Sequence, residues 1–377
     1  MAKNFSTHIM NVFSANETNY DEIRNLMLDL AQGREMFDEE GNKIAKADAE
    51  AKLRELNMSM FGLSKGYTAR DLKRAMRDHG REWFDVVEEV IDQFITTGFN
   101  DSEWFNSLVE YKNIALGQEN IFVTKQDIIL NVAKVGVSHH DHILQRYKEN
   151  DTFTIPLNRY AVAVGADINK YMAGQEDWAT LVAAVGKAFM AKIQLEVFAQ
   201  VDSAASKLPV QTGFVDTGAL DANAKPYFDE IIENVSAANG GVNVAIFGTK
   251  TALKKITALA DVDWAAASQK ESIAMTGRLG YYEGTLLVET PQRFADNSLT
   301  TKLLNDNKLY FMPMSVDNKI VAMIDQGEAE IDEILEKGEA NGRIDDLMKY
   351  EVQRTFGVGT KIGRYFGQWT ITTTPHN

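Results

Sequence analysis

At 377 residues the chain is long enough to bury a large core and to divide into two or three subdomains, and 45% hydrophobic with 25% charged residues is ordinary globular usage, which excludes a disordered chain. The absence of cysteine excludes disulfides, thiolate metal centres and a cysteine nucleophile. A formal net charge of −15 excludes a general nucleic-acid binder, although local basic patches can still meet phosphates.

The start, Met1 to Met10, lacks the apolar h-region of a secretory signal. No apolar run approaches the roughly 20 residues of a membrane span. Cytoplasmic synthesis without a membrane partner is therefore expected. To about Gly117 the pattern reads as helix after helix. Ile23, Met27, Leu28 and Leu30 share one side of a segment that the polar stretch from Ala15 to Asn19 can cap and Gly33 can end. A second helix, about Ala45 to Met58, carries Ala49, Leu53 and Leu56 on one face. From Thr68 to Thr97 the pattern predicts two helices, the second with Phe84, Val87, Ile91 and Phe94 at helical spacing. Lys65, Arg70, Lys73, Arg74, Arg77 and Arg81 stand there against only Asp71 and Asp78. Such a cluster is either a salt-bridged helix face in water or a contact for nucleic acid or an acidic neighbour.

Between Ile121 and Ala166 the period shifts toward two. Ile128 to Val132, Phe153 to Ile155 and Tyr160 to Val164 read as strands, with Lys148 to Asp151 as a hairpin tip. The predicted object is a projecting two-stranded arm, marginal alone in water and so in need of a partner surface. One amphipathic helix follows, from Trp178 to about Ala205, with Leu181, Val182, Val185, Phe189, Ile193, Val197 and Val201 along it, roughly 40 Å at 1.5 Å per residue. Gly186 inside it costs about 1 kcal/mol against alanine, which implies close packing or a bend there. After Pro209 the chain turns α/β, with a helix face of Phe228, Ile231, Ile232 and Val235. Predicted strands are Val242 to Phe247, Gly284 to Glu289, Lys308 to Pro313 and Ile320 to Ile324, giving a compact mixed domain over about 222–325. Tyr350 to Phe356 and Tyr365 to Ile371 close the chain as strands.

Candidate chemistry is sparse. In His139-His140-Asp141-His142, a strand would place His140 and His142 on one face for zinc or nickel, but no HExxH or Glu-rich helix accompanies them. Gly277-Arg-Leu-Gly280 and Gly357-Val-Gly359 lack the strand, GxGxxG and helix order of a dinucleotide site. Neither a Walker lysine pattern nor a GxSxG elbow occurs. No catalytic, cofactor-binding or metal residue is assigned, and a non-enzymatic protein is expected.

The order of elements resembles the major capsid protein of tailed bacteriophages, an α+β chain of the Hong Kong ninety-seven fold. Gln145 to Ile155 with Arg159 to Ile168 resemble its extended loop and Trp178 to Ala205 its spine helix; Val244 to Ile256, Gly280 to Val288 and Tyr310 to Pro313 resemble its axial domain. Gln353 to Gly359 look like late peripheral strands, and the likeness covers about residues 60–371. It implies a helical N-terminal arm over 1–80, a first peripheral part over 81–132, an extended β-hairpin loop over 133–168 and a peripheral part over 169–221 around a spine helix at 178–205. An axial domain over 222–325 and peripheral and C-terminal strands over 326–377 complete it.

The implied function is an icosahedral shell of hexamers and pentamers around double-stranded DNA bound without sequence specificity. Portal, decoration or scaffolding proteins are its implied partners, and the virion its implied location after synthesis in a host bacterium. Tyr147, Lys148, Glu149, Asn150, Asp151 and Thr152 would touch a neighbouring subunit, and Arg70, Lys73, Arg74, Arg77 and Arg81 DNA or an acidic neighbour. Some relatives crosslink through lysine and asparagine; Lys148 has no matching motif around it, so that property is not carried over. Two alternatives stay open. One is an encapsulin-like nanocompartment shell, separated by its cargo enzymes; the other is a soluble metal enzyme built on His139 to His142.

Overall fold

A computed structural model describes residues 20–37, 41–115, 117–118, 120–124, 151–166, 168–207, 213–259, 267–294, 299–314, 319–334, 348–361 and 365–374. In chain order the helices are α1 (Tyr20–Gln32), α2 (Lys46–Met60), α3 (Ala69–Asn100), α4 (Glu103–Leu108), α5 (Ile168–Met172), α6 (Trp178–Lys207), α7 (Lys225–Ala238), α8 (Lys250–Ile256) and α9 (Ala267–Thr276). The strands are β1 (Val109–Ile114), β2 (Phe122–Thr124), β3 (Asp151–Phe153), β4 (Asn158–Ala166), β5 (Val215–Gly218), β6 (Val244–Gly248), β7 (Tyr281–Tyr282), β8 (Thr285–Glu289), β9 (Lys308–Pro313), β10 (Val321–Ile334), β11 (Met348–Thr360) and β12 (Gly367–Ile371). They fold as two units, one of residues 1–101, 158–192 and 326–356, the other of 102–157, 193–325 and 357–377.

In the first unit α1 buries Ile23, Leu26, Met27 and Leu30 and ends at Gly33, which takes a φ of 67°. The stretch predicted as two helices is one: α3 runs 32 residues, opened by a capping box in which Thr68 and Asp71 exchange hydrogen bonds. The apolar pattern fades among the charges of its first half, yet fully buried Trp83 anchors that half against Trp178, with ring centroids 4.5 Å apart. The second half of α3 and the first half of α6 run in the same direction, because Trp83 meets Trp178, Phe94 meets Gly186 and Gly98 meets Met190. Gly186 therefore marks close packing. Beside these helices β4 lies antiparallel to β11, from Asn158↔Phe356 to Ala166↔Met348, with Tyr160 stacked on Phe356 at 4.2 Å. Buried Arg354 pairs with Asp92 of α3 at 2.5 Å, and Glu88 accepts the Ile331 N–H of β10 at 2.6 Å.

The second unit is built on a mixed six-stranded sheet in the order β5-β12-β9-β6-β8-β7. Central β6 is buried along its whole length, which explains its unbroken apolar sequence. Phe228, Ile231 and Val235 of α7 pack with Ile246, Leu253, Phe311 and Trp369 into its core, and the Trp369 indole N–H donates to the Gly218 carbonyl at 3.1 Å. Tyr310 of β9 donates its hydroxyl to Asp202 of α6 at 2.9 Å.

Among the described residues β3 pairs with β2, Phe122 opposite Phe153, while β4 pairs with β11. Ile128 to Val132 and the expected hairpin tip at Lys148 to Asn150 lie outside the described residues.

Candidate functional site

The second unit holds β2 and β3, which flank the segment expected to form the arm. Phe122 of β2 and Phe153 of β3 stack at 5.6 Å and 26°, over Ile114, Ile155, Ala322 and Ile324. Alternation along the strand turns Phe122 inward and leaves Ile121 and Val123 each 44% exposed. Exposed Thr152 sits directly opposite Val123, and Asp151 opposite Thr124. Tyr147, Lys148, Glu149 and Asn150 lie outside the described residues, as do His139 to His142. The chain after β3 is clamped onto β11: a Cβ on Gly357 would stand 2.4 Å from the Pro156 carbonyl oxygen, and one on Gly359 3.1 Å from Ile155. The Gly357-Val-Gly359 pair serves this backbone approach, whereas Gly277 takes a φ of 73° just after α9.

Beside Phe122 the second unit gathers charge that the sequence did not single out. Glu110 pairs through Oε2 with the buried Lys361 ammonium and lies 3.6 Å through Oε1 from Lys112. Lys112 also stands 4.2 Å over the Phe122 ring. Lys319 donates to the Val109 carbonyl at 3.1 Å. The only signal was the two-residue spacing of Glu110 and Lys112, hidden in a stretch that reads as helix.

In the first unit the basic cluster opens α3. Arg70 and Arg74 are exposed one turn apart, and positions 70, 74, 77 and 81 recur as i, i+4, i+7 and i+11, one stripe of a helix. The side chains of Lys73, Arg77 and Arg81 lie outside the description. Asp71, one of the cluster's two acids, is engaged at the cap: the Thr68 hydroxyl first, then its backbone N–H, hold the carboxyl below its ordinary range, with Arg74 and Arg70 adding to this. Acids later in α3 serve the unit's own packing, Glu82 accepting from Tyr20 at 3.0 Å and Glu89 from Arg24 at 2.6 Å. Exposed Arg70 and Arg74 thus stand near the start of α3, while Glu82 and Glu89 further along are tied to α1.

Among the described residues no group of three or more histidines and carboxylates is placed to hold a metal ion, and no helix is long and apolar enough to cross a membrane.

The helices, the mixed sheet and the two-stranded β2–β3 ladder define an α+β protein of the phage capsid class, the Hong Kong ninety-seven fold. The mature capsid of bacteriophage PhiM1 superposes with a TM-score of 0.50 at 14% identity, covering 73% of this chain and 88% of that one. A chain of Microbacterium phage Oxtober96 gives 0.46 at 13% identity over 72% and 91%. The SrpI encapsulin of Synechococcus elongatus gives 0.41 at 11% identity over 73% and 89%. No curated protein matches by sequence. Residues 22–370 match the family described as "SPbeta prophage-derived putative capsid protein YonB", and the chain belongs to that family. It is a phage capsid protein, a structural component of the virion.

Proposed function

We propose that the chain assembles with copies of itself into hexamers and pentamers of an icosahedral shell enclosing the double-stranded DNA of a tailed bacteriophage. The observation that carries this reading is the β2–β3 ladder. A two-stranded ladder is marginal alone, and this one leaves Ile121 and Val123 uncovered beside Thr152. A neighbouring subunit laid over that face, reached also by Tyr147, Lys148, Glu149, Asn150 and Asp151, buries it. Residues 133–168 then form the extended loop and 222–325 the axial domain. Arg70, Lys73, Arg74, Arg77 and Arg81 face packaged DNA or an acidic neighbour, and contacts to phosphates carry no sequence preference. Portal and scaffolding or decoration proteins complete the particle, made in the bacterial cytoplasm, and the chain performs no catalysis. Deleting residues 147–150, which leaves β3 intact, tests the reading: the subunit keeps its circular dichroism spectrum and urea midpoint but forms few particles. Wild-type particle yield from that deletion would remove the arm from the assembly interface.

A further inference from the structure

Three stretches of the second unit bring charge to one place beside Phe122. β1 supplies Glu110 and Lys112 from the same strand face; Lys319 precedes β10, and Lys361 follows β11 with its N–H on the Ile320 carbonyl at 2.7 Å. Both Glu110 oxygens are engaged, Oε2 by Lys361 and Oε1 by Lys112. Lys319 has the Val109 carbonyl at 3.1 Å, and Lys112 and Lys361 stand 4.2 and 5.7 Å from the Phe122 ring centre. Among the described residues, Glu110 is the carboxylate these lysines meet, so the cluster is cationic inside a chain of net charge −15. Burial holds the Lys319 ammonium below its ordinary range; Glu110 works against this and Lys361 adds to it. Half-buried like charges that the described residues do not balance are a local conflict, one that a partner's opposite charge resolves. Lys112, its side chain 42% exposed, is the way in.

We propose that Lys112, Lys319 and Lys361 form a socket for a carboxylate side chain of a second copy of the chain, filled when subunits assemble. The inference rests on the shell-forming reading above. A subunit carboxylate fits better than a DNA phosphate, because polyanion binding uses a track of exposed cations and this cluster is recessed, with Lys361 buried. Each copy carries 54 Asp and Glu against 39 Lys and Arg, so carboxylates are in excess on any approaching subunit. The socket also adjoins β2, whose outer face the neighbour is expected to cover.

The test compares the full-length wild type with Lys112→Met and Lys319→Met. The readouts are the urea midpoint of the unassembled subunit, the concentration at half assembly by sedimentation, and nuclease-protected DNA. The expected result is a urea midpoint unchanged or raised, half assembly at a roughly tenfold higher concentration, and a weaker dependence of assembly on salt. Assembly of both variants at the wild-type concentration overturns the socket. So does a lowered urea midpoint that assembly merely follows, which marks an internal cluster, and so does normal assembly with loss of protected DNA, which marks a phosphate contact. A wild-type chain that stays monomeric at every concentration removes the shell-forming reading and the socket with it.

Discussion

Replacing Gly186 by alanine should destabilise the first unit, against the usual direction for a glycine inside a helix. A Cβ there would lie 2.4 Å from Cδ1 and 2.9 Å from Cε1 of Phe94. Ordinary carbon contacts are about 3.5–4.0 Å, so the ring must retreat by roughly 1 Å or the helices must part. Phe94 is buried with Ala31 and Ala183 and has Leu28 and Met190 packed around it, which leaves little room. Overpacking of this kind costs about 1–3 kcal/mol, and the helix-propensity gain of alanine returns about 1 kcal/mol. At the middle of that range the net loss is about 1 kcal/mol. Gly98 supplies the control on the opposite helix: its added Cβ would meet Met190 Cε at 2.6 Å and Sδ at 2.8 Å, the movable end of a flexible side chain. Gly98→Ala should therefore be neutral or stabilising by up to about 1 kcal/mol. Urea denaturation of the unassembled subunit, followed by far-ultraviolet circular dichroism, measures both. Combining Phe94→Leu with Gly186→Ala should recover part of what the two single changes lose separately. Gly186→Ala as stable as wild type, or Gly98→Ala the more damaging of the two, would refute the reasoning.

Four further outcomes are expected. Gly357→Ala sets a Cβ 2.4 Å from a backbone oxygen that no rotamer can move aside, and should lower the urea stability by about 3 kcal/mol. Arg354→Met strips Asp92 of a buried guanidinium and should cost about 3 kcal/mol in the same assay. Asp229 is held above its ordinary 3.8 by burial, opposed by the hydrogen bond from Tyr282 at 2.8 Å. Its stabilising contribution is therefore complete below pH 3.8 and is lost as pH rises through the raised folded value. Tyr282→Phe removes the opposing bond, raises that value further and should steepen the loss of stability between acid and neutral pH, seen as a larger drop in melting temperature. Arg70→Glu with Arg74→Glu should leave the urea stability within about 0.5 kcal/mol while reducing nuclease-protected DNA in particles; an equal DNA content would assign the stripe to another role.

Local periodicity made much of this molecule legible. Phe189, Ile193, Val197 and Val201 lie on one side of α6 and are buried, and Lys308 to Pro313 forms β9 with the predicted ends. What stayed hidden depends on partners distant in sequence. Alternation marks Tyr160 to Val164 as a strand, but Val352, opposite Val162, is chosen by the three-dimensional fold. β1 was hidden because half-buried Glu110 and Lys112 share a strand face with buried Ile114, where the period-two rule expects apolar side chains. Gly357 looked like half of a failed nucleotide motif until the Pro156 carbonyl supplied its reason. The capsid site was legible only as a layout, since an assembly surface needs no spacing of catalytic residues.

Cryo-electron microscopy of particles purified from cells expressing the full chain tests the central claim most directly. Closed icosahedral shells should appear, built of hexamers and pentamers of this subunit with the β2–β3 face of each covered by a neighbour. A correctly folded subunit that yields only small open oligomers with Ile121 and Val123 in solvent would contradict it.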